Sequence, residues 1–348
     1  MNPIALGIFV NRIESICDEM GAVLRRAAFS PNIKDRMDFS CAIFDPKGGL
    51  CAQAAHIPVH LGSMAYAMTD IVKSVQWKIG DMVVLNDPYL GGTHLPDVTV
   101  IAPMFIANSG EKEILVGFVV NRAHHANIGA TSPGSMPLSQ SLEEEGLIIP
   151  PTLLVRDDVI LEDVLHRISG SDDVNGKGIQ GQSYGDFSAQ ISANRVGCER
   201  LRTLISANDT EYYFQFLAEL NAYGARLATS SLSDLPNGYY QFDDYLDNDG
   251  AGQNDIKITA SITINDGAVE VDFTGTHPQV MGNVNCPLSV AAAAVFYVFR
   301  CLMPPYTPAC VGTFSAIRLR ANKGCLLDAE RPAAVAAGNV ETSTRVVD

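Results

Sequence analysis

Two short runs of β-branched and apolar residues, Val83-Val84-Leu85 and Ile114–Val120, each lead into a segment crowded with imidazole and carboxylate groups. The first enters Asn86–Asp97 (NDPYLGGTHLPD) and the second enters Asn121-Arg122-Ala123-His124-His125. Runs of that composition and length are predicted as buried strands. His94, Asp97 and the His124-His125 pair are therefore expected just past two strand ends, where a rigid sheet holds side chains open to a cleft. The whole chain has seven histidines, so this grouping narrows what the fold can be built around. Imidazole with carboxylate is ligand chemistry for a divalent first-row metal. Upstream, Lys34-Asp35-Arg36-Met37-Asp38 offers further carboxylates. Adjacent histidines on extended backbone point to opposite sides. One of His124 and His125 is expected to face the metal, and the other to pack or hydrogen-bond.

Around these segments the pattern mixes helices and strands. Residues 4–28 place Ile13, Ile16, Met20, Val23 and Leu24 close to helical spacing, so a long amphipathic helix is predicted up to Ser30-Pro31. Phe39–Phe44 and Gly48–Ala52 read as a hairpin about Asp45–Gly48, and Ser63–Val75 as a helix. Residues 126–158 are rich in Gly, Pro and Ser and read as a long functional loop. Asp186–Asn208 and Glu211–Ser231 have helical patterns. Leu235-Pro236-Asn237-Gly238 is a turn signal that suggests a boundary, with a metal-site domain over 1–235 and a mainly β domain over 236–348. Beyond it Tyr239–Tyr245, Ile256–Ile264 and Val269–Phe273 alternate as strands, the last two joined through Asn265-Asp266-Gly267. Asp247–Gly250 resembles the start of a calcium loop but lacks its closing glutamate, so a solvated turn is expected. Hairpin signals outnumber clean strand–helix–strand units, which predicts an α+β fold of mixed sheets with flanking helices in two lobes.

Composition sets outer bounds. At 348 residues, 47% hydrophobic and 18% charged, the chain can bury a large core. A net charge of −15 argues against nucleic acid and against anionic membrane surfaces. Leu288–Phe299 (LSVAAAAVFYVF) is too short to span a bilayer and reads as a buried helix. The opening MNPIALGIFVNRIES has no signal-peptide pattern, so a cytoplasmic protein is expected. The eight cysteines form no C-x-x-C pair and are expected as reduced, mostly buried thiols. There is no Walker P-loop and no convincing dinucleotide fingerprint.

Several segments together strongly resemble the hydantoinase B subunit family. They are Asn86–Asp97, Ala55–Ser63 (AHIPVHLGS), Asn121–His125, Glu145-Gly146, Asp272–Thr276 (DFTGT) and Gly338–Ser343 (GNVETS), and the likeness runs nearly end to end. The resemblance implies a heteromeric cytoplasmic complex in which a hydantoinase A-type subunit uses ATP. The B-type subunit would hold a divalent metal (zinc, manganese or iron) and the substrate. Carried over residue by residue, the metal ligands fall on Asp38, His94, Asp97 and His124. His125, His60 and Glu145 are then candidates for proton transfer or substrate contact. The implied activity is ATP-dependent opening of a cyclic amide such as a hydantoin, N-methylhydantoin, 5-oxoproline or a lactam. Alternatives are a ketone carboxylase of the acetone or acetophenone type, or a non-catalytic structural subunit. Two departures from the family pattern stand out. Ala126-Asn127 follows the paired histidines where many relatives have an aspartate, and the chain stops at Asp348 where relatives continue. The second suggests a truncated product with apolar surface left bare on Leu288–Phe299 and on the closing segment.

Overall fold

The computed structural model describes residues 2–55, 57–107, 113–130, 135–170 and 179–348. His56 of the Ala55–Ser63 segment and residues 131–134 of the long loop lie outside the described residues. Helix α1 (Pro3–Ala27) starts on a proline, capped by the Asn2 side chain, and is followed by the short α2 (Pro31–Lys34). Strands β1 (Phe39–Phe44) and β2 (Leu50–Ala55) form the expected hairpin. Helix α3 (Pro58–Ser74) begins five residues earlier than the apolar pattern suggested. Pro58 explains this, because its fixed φ suits the first turn of a helix and its missing N–H is not needed there. His60 therefore rides on the first turn of α3.

Next come β3 (Met82–Leu85), β4 (Asp97–Ala107) and β5 (Glu113–His124). Strand β4 was not anticipated, although Val98-Thr99-Val100-Ile101 is β-branched throughout, and it changes the placement of the site. Asp97 opens a strand and His124 closes one, rather than both lying in loops past strand ends. The long loop is also partly ordered into β6 (Thr152–Arg156), and β7 (Val159–Ile160) follows it directly. These strands form a seven-stranded sheet in the order β2-β1-β5-β4-β3-β6-β7, with antiparallel neighbours throughout.

The central strands are apolar on both faces, which is why they read as continuous hydrophobic runs. Ala42, Phe44, Phe118 and Val120 face one cluster, with Met64, Met68 and Ile71 of α3. Their neighbours Cys41, Ile43, Val119 and Ala123 face the opposite cluster, with Ile13, Met20 and Leu24 of α1. After α4 (Glu162–Ile168), the long helices α5 (Ile179–Ser206) and α6 (Thr210–Leu232) complete that second layer.

A second sheet, β11-β10-β9-β8, follows Pro236. It comprises β8 (Gly238–Asn248), β9 (Asn254–Asn265), β10 (Ala268–Asp272) and β11 (Ile317–Arg320). Strands β10 and β11 run parallel while the other pairs run antiparallel, so the sheet is mixed. The β9–β10 turn needs positive φ at Asp266 and Gly267 (47° and 82°), as its Asn-Asp-Gly sequence indicated. The turn expected at Asp247–Gly250 is exposed at Asp247, Asn248 and Gly250, and departs from a solvated turn at one residue. Asp249 is buried, and its carboxylate accepts from the Ala251, Gln253 and Gly282 amides, tying that turn to the segment before α7 (Leu288–Cys301).

The expectation of a bare apolar α7 is overturned. Val290–Phe296 and Phe299 are buried, and the helix packs tightly on α3. A Cβ added at Gly62 of α3 would sit 2.5 Å from the Ala293 Cα of α7, so this close crossing requires glycine there. One apolar cluster thus joins α3, α7, the first sheet and the second. Short helices α8 (Val311–Phe314) and α9 (Ser343–Val347) complete the elements.

Candidate metal centre

Alternation along β5 decides which side chains meet. Arg122 and His124 continue the row of Phe118 and Val120 and face α3, whereas Asn121, Ala123 and His125 face α5. Asn121 accordingly donates to the Gln190 carbonyl and Asn194 Oδ1 of α5. His125 packs on Phe187, with ring centroids 4.4 Å apart, and its Nε2 is 3.0 Å from Gln190 Oε1. Of the two adjacent histidines, His124 turns toward the other candidate ligands and His125 turns away.

The ladder ends draw the remaining donors in. Asp97 and His124 are direct cross-strand partners. The His124 amide donates to the Asp38 carbonyl, just before β1, and the Asp97 amide donates to the His94 carbonyl. Asn86 fastens the intervening loop through bonds to the Leu95 and Leu147 carbonyls and the Ile149 amide. As a result His94 Nε2 lies 3.2 Å from His124 Nδ1, and Asp97 Oδ1 lies 3.4 Å and 3.1 Å from those two nitrogens. On the other side of the same carboxylate, His60 Nε2 is 3.4 Å from Asp97 Oδ2, while Ser40 Oγ holds His60 Nδ1 at 3.1 Å. Asp38 Oδ2 stands 3.7 Å from His124 Nδ1. Thr93 donates to Asp97 Oδ2.

These residues fit a divalent cation. Bonds of about 2.0–2.1 Å to a tetrahedral ion place neighbouring donor atoms roughly 3.3–3.4 Å apart. The edges of 3.2, 3.4 and 3.1 Å among His94, Asp97 and His124 match that spacing. The buried His60 Nε2, which faces Asp97 and is without a hydrogen-bond partner, points to the same conclusion, since buried polar atoms are ordinarily satisfied. Among the described residues the donors fall into two groups of three, His94-Asp97-His124 and Asp38-His60-Asp97. Asp38 thus groups with His60, which sequence reasoning had set apart as a proton-transfer candidate.

Electrostatics follow from depth. Burial alone would raise the Asp97 carboxyl, but the imidazoles of His94, His60 and His124 hold it well below the usual carboxylate range. Burial works against a charged His124, yet Asp97 and Asp38 raise its ring overall. Burial and the nearby Asp97 raise Asp38. His60, His94 and Asp97 are sealed, whereas the Asp38 side chain is 24% exposed and His124 9%, so solvent reaches the cluster from their side. His124 Nε2 is oriented there by Ser135 Oγ at 2.8 Å.

Arg122 is the residue that sequence reasoning passed over. It is fully buried, and its guanidinium donates to Thr99 Oγ1, Ser63 Oγ of α3 and the Gly91 carbonyl. It therefore pins the strand beneath Asp97, the helix bearing His60 and the loop bearing His94. The only advance signal was an arginine inside an otherwise apolar strand.

Glu145 is not among the gathered donors. Its Oε1 accepts from the Val335 and Ala336 amides and from Ser139 Oγ, so it clamps a distant chain segment. A cavity of about 840 Å³ lies behind the same loop, lined by Tyr66, Tyr89, Gly91, Ser289, Lys323 and Arg331 among others, but no donor of the cluster lines it. Burial pushes the thiols of Cys17, Cys41, Cys51 and Cys286 up, and no cysteine is drawn into the site. No helix among the described residues is long and apolar enough to cross a membrane.

An imidazole–carboxylate cluster that could hold a metal ion lies at one end of a helix-covered antiparallel sheet in an α+β fold. The family model described as hydantoinase B/oxoprolinase matches residues 2–348, and the chain belongs to that family. It is 36% identical to a 5-oxoprolinase of Saccharomyces cerevisiae over all of its own length and 27% of that protein. The ATP-dependent caprolactamase of Pseudomonas jessenii superposes with a TM-score of 0.87 at 25% identity, covering 100% of this chain and 59% of that one. An acetone carboxylase superposes with a TM-score of 0.84 at 19% identity over 97% and 46%, a likeness of fold alone. The chain thus spans between about a quarter and three fifths of the length of these proteins.

Proposed function

We propose that this chain is the metal-holding part of an ATP-dependent enzyme that opens a cyclic amide, working with a hydantoinase A-type partner that uses the ATP. The observation behind this reading is the convergence of His94, Asp97 and His124, with Asp38 and His60 beside them, on the sheet face covered by α3. A divalent ion held by Asp38, His94, Asp97 and His124 would polarise an amide carbonyl and stabilise the charge that builds on its oxygen. Asp97 supplies the deepest negative charge, and Thr93 fixes its orientation. Asp38 and His124 form the accessible rim, so the ring is expected to approach over them. Arg122 holds the supporting elements in place. With no phosphate-cradling motif in the sequence, ATP is assigned to the partner.

Amide opening is favoured over ketone carboxylation because the kinship to a named 5-oxoprolinase is in sequence, whereas the likeness to acetone carboxylase is in fold only. The test is reconstitution of the chain with an A-type subunit, ATP and a panel of 5-oxoproline, hydantoins and lactams, with acetone or acetophenone plus bicarbonate in parallel. ATP-dependent formation of a ring-opened product is the expected result. Carboxylation of a ketone, without ring opening on any amide, would overturn this reading.

A further inference from the structure

We propose that β8 is a self-association edge, along which two copies of this chain pair antiparallel about a two-fold axis that passes Phe242 normal to the sheet. This edge belongs to the second sheet and shares no residue with the metal centre.

Strand β8 is the outer member of its sheet, and among the described residues no strand pairs with its outer side. It runs for 11 residues, and Tyr239, Tyr240, Phe242 and Tyr245 along it stand 45–69% exposed. An outer strand leaves a row of backbone N–H and C=O groups unpaired, so a long apolar one invites a further strand. Proteins blunt such edges with proline, lysine, a bulge or a short strand. β8 has no proline or lysine, and its register with β9 is unbroken from Gly238↔Ile264 to Leu246↔Ile256. Its two central acids are neutralised from within the chain, Asp243 by Lys257 at 2.9 Å and Asp244 by Arg345 at 3.2 Å. Tyr240, Phe242 and Asp244 line a groove of about 280 Å³, with Ile258, Phe273 and Val346 among its other walls.

The strand's own sequence selects a second copy as the occupant. When identical strands pair antiparallel about a two-fold axis, the central residue meets itself, and opposed residues share one face of the sheet. Centred on Phe242, the pairing runs over residues 238–246. It sets Phe242 against Phe242, Tyr239 against Tyr245, Tyr240 against Asp244 and Gln241 against Asp243. Aromatic pairs stabilise such a ladder, and no like charges stand opposed. Centring on Asp243 would set two carboxylates face to face. Centring on Gln241 would shorten the paired run to residues 238–244 and lose Tyr245. With Phe242 at the centre, the partner's Tyr240 and Phe242 lie on the groove side of the joined sheet and extend its apolar lining. The charge of −15 on each copy opposes association, but at physiological salt it is screened beyond about 8 Å.

The test is sedimentation equilibrium of the purified chain at tens of micromolar in physiological salt, beside Phe242→Lys. The wild type is expected to be a dimer. Phe242 is 69% exposed, so the lysine variant is expected to keep its circular dichroism spectrum. It should weaken the dimer at least about 30-fold, as loss of a central aromatic anchor does. Phe242→Ser takes its place if the lysine variant loses that spectrum. Register is checked with a short bismaleimide after Cys198→Ser and Cys301→Ser remove the two thiols that are not buried. Tyr240→Cys mixed with Asp244→Cys should link, since these positions oppose each other. Neither alone should link, because each lies four residues from its own copy, about 14 Å along the strand. A monomeric wild type would overturn the proposal, as would a dimer that Phe242→Lys leaves intact, or a mixture that fails to link.

Discussion

Asp97 and His124 face each other across the β4–β5 ladder, with His124 Nδ1 3.1 Å from Asp97 Oδ1. The first residue of one strand and the last of its neighbour are thereby fixed by the same backbone register. A one-residue slip of either strand would put the two side chains on opposite faces of the sheet. The site is thus as rigid as the sheet that carries it.

The paired histidines give the sharpest comparison. His124→Ala should lower metal affinity by more than about 100-fold, since it removes a ligand and not merely an orienting contact. His125→Ala should keep the metal and instead lose the Phe187 and Gln190 contacts, costing about 1–3 kcal/mol of stability. Isothermal titration with Zn²⁺ and urea unfolding of both variants would reveal a reversed assignment at once.

Arg122 should behave as a structural pin. Arg122→Met leaves Thr99 Oγ1, Ser63 Oγ and the Gly91 carbonyl without their donor, for an expected loss of about 2–4 kcal/mol. Arg122→Lys should fall between, because one ammonium cannot span three diverging acceptors as a planar guanidinium does. Metal affinity should drop by roughly 10–100-fold in the methionine variant as the elements bearing His60 and His94 loosen. Unchanged urea midpoints in both variants would contradict this role.

Glu145 gives a pH signature away from the metal. Burial pushes its carboxyl from an ordinary 4.5 up to about 7, against the hydrogen bonds from Ala336, Ser139 and Val335. The folded value lies above the unfolded one, so the folded state holds the extra proton. The associated stability is present below about 4.5 and is lost as pH rises through about 7, a swing of at most about 3 kcal/mol. Glu145→Gln keeps an acceptor for the three donors and cannot ionise. Thermal unfolding from pH 5 to 8 should show a decline in the wild type that is flattened in the variant; parallel profiles would refute the assignment.

Much of this was legible in the sequence because periodicity and local chemistry agreed. α1, the β1–β2 hairpin, α5, α6, the β8–β10 meander and α7 all follow from spacing and turn residues. Asp38, His94, Asp97, His60 and His124 all stood out in the sequence, and the opposite orientation of His125 follows from strand alternation. Three kinds of information were not local. Strand β4 was obscured because its first residue belonged to the Asn86–Asp97 segment, and its hydrogen-bond partners lie on other strands. The grouping of His60 with Asp38 depends on α3 starting at Pro58 and on α3 packing against α7, through a contact between Gly62 and Ala293. Asp249 is closed over partly by Gly282, more than thirty residues away, so a polar tetrapeptide gave no hint of that contact.

The most direct test of the central claim is the metal content of the purified chain beside that of Asp97→Ala, after dialysis against metal-free buffer, with circular dichroism to confirm the fold. Asp97 touches every imidazole of the cluster, so its loss should strip the site whichever way the remaining donors divide. The account predicts at least one tightly bound divalent first-row ion in the wild type and essentially none in a folded Asp97→Ala. Equal metal content in the two proteins, or a wild type that binds no divalent ion, would contradict it.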